Sequence, residues 1–506
     1  MYLSVLPARG GWDAWPGRAP QRVAAVAQAS TALRDAVDGW LRDRRADQRF
    51  ARFSGHFDVL GPVLGRMLDR VDGAVRACLP PWDGRPEPSC ADTYRDCRAI
   101  EQAIAQARRL FEWYASKYDQ RLDQPAHGVL AAADELVRSC WSQMYAGLPG
   151  SAPGGPLPYL DADFDALATP RRSVPTDLRA PADARVAESV NELPIATIAL
   201  PANAAVRGWW LVLAAHETGH HVYDEFGLET SVRAAVRSAA GAGPDGTADA
   251  AGQWNRWHAE TFADVYSALM VGGAAAWALA ELQYASPADL VRPPSETSRY
   301  PAPLIRLAVI GESAARAGLT GSLAVTGAEA RTWLDAQPEE SIPQPARTAA
   351  HRHLSLAPAI AAALMDLRID RNSRGAGSAD RDGELPSLAE LCDARPGWFA
   401  PGGKVADWAV ELRRSNPTTL DTARRAAARQ AIAAGVGAYD ALARSDAAVP
   451  ADADVQLLHK NLITLLSRCG GPGVLAETPP TRADLTALAD RLADRLLEAP
   501  LPEAAP

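Results

Sequence analysis

Apolar residues recur at three- and four-residue spacing along most of the chain, the period of a helix that buries one face. The pattern predicts helices over 22–44, 57–79, 90–122 and 128–146, with Pro80-Pro81-Trp82-Asp83-Gly84 as a turn between two of them. It breaks at Leu148-Pro149-Gly150-Ser151-Ala152-Pro153-Gly154-Gly155-Pro156, and a Pro-containing stretch continues the break to Pro181, so a linker is expected there. Residues 193–201 are rich in β-branched side chains and bounded by prolines, which predicts an edge strand. Helical spacing returns after Asn203, a candidate cap, runs to Gly227, and recurs over 231–240, 254–270 and 303–317. Beyond Gly318, helices are expected over 327–336, 347–369, 404–414, 419–434, 452–468 and 481–498. The expected fold class is mainly α. A central domain with a small β-sheet (186–320) follows an N-terminal helical domain (1–148) and a linker (149–185), and precedes a C-terminal helical domain (321–506).

Composition adds bounds to this picture. A chain of 506 residues, 47% hydrophobic and 22% charged, is ordinary globular material with enough length for two or three cores. A net charge of −9 disfavours nucleic acid and anionic membrane as partners. No stretch approaches the roughly 18 apolar residues of a membrane span, and the first residues lack a charged segment followed by an apolar one. The six cysteines form no C-x-x-C pair, so a reduced, cytoplasmic protein is expected. The C-terminal helices read as a scaffold or a surface for a protein partner.

The candidate chemistry lies in the predicted central domain. His216-Glu217-Thr218-Gly219-His220 places two imidazoles four residues apart, on one helix face about 6 Å apart along the axis, with a carboxylate between them. Both rings can reach one metal ion while Glu217 stands beside its open position, the arrangement of a hydrolytic zinc site. Residues 207–213 are apolar almost all round, so this helix is expected to be buried. The next helix carries Trp257, Glu260, Thr261, Asp264 and Ala268 on one stripe, with Phe262, Val265 and Leu269 beside it. Two carboxylates on a buried helix need partners, and a metal ion with a ligating imidazole provides them. Glu260 is then the third ligand, and Asp264, one turn on, orients a ligand imidazole. His258 remains an alternative third ligand, two residues from Glu260 on another face. His351 and His353, two residues apart, share no helix face and are expected at the surface.

His216-Glu217-Thr218-Gly219-His220 followed by Glu260-Thr261-Phe262-Ala263-Asp264 resembles the gluzincin metallopeptidases. In that family a Glu from a second helix completes the zinc site, and an Asp four residues later supports a ligand His. Tyr300-Pro301-Ala302-Pro303-Leu304-Ile305-Arg306 is similar to a downstream His-Pro…Arg element of CAAX-prenyl-protease-type enzymes, with Tyr300 where that family has His. The resemblance covers about a quarter of the chain, with a longer interval between His220 and Glu260 than in thermolysin-like enzymes. Tyr223 and Phe226 stand where a metzincin has Gly and His. The resemblance implies Zn2+-dependent hydrolysis of a peptide or protein substrate, with Glu217 as general base. It also implies a substrate backbone added to the strand through Ile195, Ala196, Thr197 and Ile198, the other reading being an ordinary strand that completes a small sheet. Tyr300 is expected to donate to the carbonyl oxygen, and Arg306 to hold that element or the substrate. Two other readings stay open: a non-catalytic helical interaction protein with a structural metal site, and a regulatory protease of the repressor-cleaving type.

Overall fold

The computed structural model describes residues 18–79, 89–124, 126–146, 148, 152–161, 167–169, 178, 184–242, 248–293, 295, 297–319, 323–370, 385–395, 397–398, 402–417, 420, 426–444, 450–469 and 482–497. Helices dominate, as the periodicity predicts. The chain begins with α1 (Ala19–Ala46), α2 (Ser54–Ala77), α3 (Cys90–Asp119) and α4 (Ala126–Ala146), then β1 (Leu157–Asp161), β2 (Leu167–Thr169), α5 (Ala184–Glu192) and β3 (Thr197–Pro201). Next come α6 (Leu213–Glu225), α7 (Glu229–Ala242), α8 (Ala248–Val271), α9 (Ala274–Leu282), α10 (Pro287–Leu290) and α11 (Pro303–Arg316). The remainder is α12 (Gly327–Asp335), α13 (Gln344–Met365), α14 (Leu388–Cys392), α15 (Lys404–Glu411), α16 (Ala427–Ala443), α17 (Asp452–Leu466) and α18 (Arg482–Leu497). Among the described residues no helix is long and apolar enough to cross a membrane. Most of the expected linker, 149–185, lies outside them.

The chain forms two units. One comprises Met1–Tyr118, Arg172–Ile195 and Glu477–Pro506, the other Asp119–Arg171 and Ala196–Ala476. The ranges 1–148 and 321–506 each contribute to both. In the first unit α18 lies along α2, with Arg66 paired to Asp490 and Arg70 to Asp494. Periodicity locates these helices but carries no signal that pairs elements so far apart in sequence.

The second unit is built around α8. From Trp254 to Val271 this helix is buried on nearly every face, and α6, α7, α11 and α13 pack against it. Trp254, Trp257, Phe262 and Tyr266 are its large buried side chains. A helix that apolar is stable in water only when enclosed, and enclosure is what its sequence demands.

A three-stranded sheet lies at one side, in the order β1-β3-β2. β3 pairs parallel with β1 (Leu157 opposite Thr197) and antiparallel with β2 (Thr169 opposite Thr197). The strand expected near 193–201 is therefore present but central, which corrects its reading as an edge. Its flanking prolines bound the paired segment instead of blocking a ladder: Pro194 precedes it and Pro201 is its last residue. The outer side of β1 is closed by side chains. Gln120 bonds both Leu160 N–H and Leu160 C=O at 2.8 Å, and Arg121 donates to the Pro158 carbonyl at 2.9 Å. Among the described residues the free edge of the sheet is β2.

Candidate metal centre

α6 begins differently from the expected helix. Residues Ala202–Ala205 and Gly208–Val212 form 3-10 turns, and regular α-helix starts at Leu213 without a side-chain cap. Asn203 accepts backbone N–H groups of Val206 and Arg207 through its carbonyl and does not cap α6. The tighter turns satisfy amides that a cap would otherwise serve. The far end follows expectation: Gly227 adopts φ +61° after α6, a left-handed position that glycine takes without strain.

On α6 the rings of His216 and His220 meet edge to face, 4.9 Å between centroids. α8 crosses this helix at Gly219, where a Cβ would stand only 3.0 Å from the Cα of Ala263. Such close backbone approach lets Glu260, one turn before that crossing, reach the rings. Its Oε2 lies 3.4 Å from His216 Nε2 and its Oε1 3.6 Å from His220 Nε2. These separations exceed the 2.7–3.2 Å of a good N–H···O bond. They are close to the roughly 3.3 Å expected between ligands that each stand about 2.0–2.1 Å from one tetrahedral ion, with a different Glu260 oxygen facing each ring. His216, His220 and Glu260 together present ligand atoms within 4.8 Å of one another, a group that can hold a metal ion.

Asp264 lies behind this group. Its Oδ1 is 3.1 Å from His216 Nδ1; a carboxylate can only accept, so the proton sits on Nδ1 and Nε2 is directed at Glu260. Arg306 of α11 grips the same carboxylate side-on, Nε to Oδ2 and Nη2 to Oδ1, both at 2.8 Å, and its Nη2 stands 3.6 Å from Glu260 Oε2. Arg306 is 5% exposed. This corrects its expected role at the substrate: the guanidinium is committed to two carboxylates, and it anchors Asp264.

The charges are tightly coupled. Burial by itself would lower the basicity of His216, but Asp264, Glu260 and Glu217 outweigh it and raise the pKa to about 10 without a metal. Burial opposes ionisation of Glu260, yet the imidazoles of His220 and His216 hold its carboxyl below the usual range. Asp264 is likewise held down, against burial, by Arg306 and His216. Asp264 and Glu260 share the Arg306 guanidinium, and Glu217 acts on His216 from the same neighbourhood, a concentration of carboxylates that favours a bound cation.

Glu217 is buried on α6 between the two imidazole positions. Tyr300 lies at the outer side of the site, half exposed, with the Arg306 guanidinium 5.7 Å from its ring centre. The charge of Glu260, then burial, raises its pKa, and Glu217 adds to this, so the phenol keeps its proton. A local turn sets its position: Ser298 Oγ accepts from Tyr300 N–H and donates to Tyr300 C=O, each at 3.1 Å. Ala302 then leads into α11, with Pro303 at its first position, where a missing N–H costs nothing.

No family model, curated protein or solved structure matches this chain.

The remaining expected residues fall elsewhere. Ile195, Ala196, Thr197 and Ile198 are all buried. The Ala196 carbonyl accepts from Leu157 N–H at 2.8 Å, and Thr197 and Ile198 pair with strands on both sides. They cannot receive a substrate strand, which corrects their assignment. His258 is not in the metal group; its Nδ1 shares a 2.8 Å hydrogen bond with Tyr223 Oη, and burial lowers its pKa to about 4. His353 is buried against Trp254 and Trp257, contrary to its expected place at the surface, while His351 pairs with Asp335 at 3.1 Å. Alternate faces, one inward and one outward, follow from the two-residue spacing.

Besides the pairing of Asp264 with Arg306, sequence reasoning left a further contact beside the site unread. His221 Nε2 lies 3.1 Å from the Thr197 carbonyl, joining α6 to the sheet. The signal was the doubled His220-His221, whose second ring points about 100° round the helix from the first.

Proposed function

We propose that this chain is a zinc-dependent peptidase. The observation that carries the reading is the spacing of His216 Nε2, His220 Nε2 and Glu260 at 3.4 and 3.6 Å, with the other nitrogen of His216 held by Asp264. Two imidazoles and a carboxylate make a donor set that zinc favours in hydrolytic sites, and a carboxylate behind a ligand imidazole is its usual support. Glu217 supports catalysis over a purely structural site, since holding an ion requires no further buried carboxylate on the same helix. When bound, zinc supplies a Lewis acid that polarises the scissile carbonyl and lowers the pKa of water.

The chain's own residues perform the remaining steps. Glu217 accepts a proton from the attacking water at its carboxylate and delivers it to the leaving amine. Tyr300 donates its phenol proton in a hydrogen bond to the carbonyl oxygen as negative charge builds there. Asp264 keeps His216 in the tautomer with Nε2 free, and Arg306 keeps Asp264 ionised and in place. Among the described residues β2 is the edge left to a peptide main chain, because β3 is central and β1 is covered.

Glu217→Gln tests the reading against a mixture of unstructured peptides. Zinc content should stay at the wild-type level while hydrolysis falls by at least about 10²-fold, because proton transfer is lost and no ligand is removed. Equal rates in the two proteins would contradict it.

A further inference from the structure

The contact between His221 and Thr197 has no part in holding a metal, yet it is buried and joins the two elements whose relative placement matters most to a peptide substrate. His221 follows the ligand His220 directly, and its ring emerges from the face of α6 that packs on the sheet. A backbone carbonyl can only accept, so His221 Nε2 carries the proton and donates to Thr197 O at 3.1 Å. Thr197 is the first residue of β3 and stands opposite Leu157 of β1 and Thr169 of β2 at once. A strand slipped by one residue turns every side chain to the other face, and a single directional bond to its first residue opposes such slippage.

The consequence reaches the free edge. β2 is tied to β3 by three residue pairs, Leu167 with Ala199, Ala168 with Ile198 and Thr169 with Thr197. β2 also packs against α6, the helix that carries His216 and His220, so its placement along that helix is fixed partly through the His221 bond.

We propose that His221 is a positioning residue that, through Thr197, sets the register of the sheet's free edge, and so of the substrate main chain, against the metal centre. This rests on the peptidase reading, in which β2 receives the substrate. In this role His221 acts through the strand it bonds and not on the reacting bond.

The test compares full-length, zinc-loaded wild type with His221→Leu and His221→Gln, the latter able to present an N–H donor at similar reach. Two quantities are measured: hydrogen exchange of the β3 backbone amides, and the ratio of kcat/KM for a decapeptide to that for a blocked dipeptide amide too short to lie along β2. His221→Leu should speed β3 exchange about 10-fold or more and lower the long-to-short ratio by about 10-fold, and His221→Gln should restore most of both. Unchanged exchange in His221→Leu would overturn the proposal, as would faster exchange with an unaltered ratio, or equal losses in the Leu and Gln variants. A wild type that binds zinc but cleaves neither substrate would sink the peptidase reading and this proposal with it. Altered exchange beside an active wild type with an unaltered ratio sinks only the proposal.

Discussion

The Nδ1 of His216 and the Oδ1 of Asp264 stand 3.1 Å apart, on helices that cross where Gly219 meets Ala263. That pairing decides which ring nitrogen faces Glu260, and on the proposed metal reading it tunes affinity without supplying a ligand. Asp264→Asn keeps the shape but removes the charge and presents an amide in its place. Zinc affinity, measured by competition with a chromogenic chelator, should fall by about 10–100-fold with the fold retained. An unchanged affinity would show that His216 needs no support from Asp264.

Tyr300 occupies a half-exposed position over Arg306 and within the field of Glu260 and Glu217. A phenol there can follow charge onto the carbonyl oxygen as it develops. Tyr300→Phe should lower kcat by about 10²-fold, with zinc content and unfolding midpoint unchanged. A fall confined to KM would make Tyr300 a contact for bound substrate rather than for the transition state.

His353 bears on the stability of the second unit. Its ring is enclosed by Trp254 and Trp257, and burial lowers its pKa to about 4 from an ordinary value near 6.5. Between those pH values the unfolded chain binds the proton and the folded chain does not, so stability falls as pH drops through this window. The full effect at acid pH is on the order of 3 kcal/mol. Urea unfolding of His353→Leu should show a shallower loss between pH 6.5 and 4 than wild type. Parallel curves for the two proteins would assign the acid sensitivity to other groups.

Much of the site was readable because helical spacing fixes faces. The i,i+4 intervals put His216 with His220 and Glu260 with Asp264 on single helix faces; that the two pairs belong together comes from the need of buried carboxylates for partners and from the family resemblance. The partner of Asp264 was not readable. Asp264 and Arg306 lie on separate helices, and no local pattern joins a buried guanidinium to one carboxylate rather than to solvent or substrate. The strand misled for a related reason. Flanking prolines and β-branched residues identify 193–201 as extended, but an edge differs from a centre only in its neighbours, and those are the more distant β1 and β2. The two-unit division shows the same limit, since the partner of α2 is α18 at the far end of the chain.

The most direct test is elemental analysis of zinc in purified wild type beside Glu260→Ala, with helix content followed by circular dichroism. Glu260 faces both imidazoles, so on the proposed reading its loss removes one ligand of three while leaving His216 and His220 untouched. The account predicts about one zinc per wild-type chain and less than about a tenth of that in a folded Glu260→Ala. Equal zinc in the two proteins, or none in wild type after incubation with the metal, would contradict it.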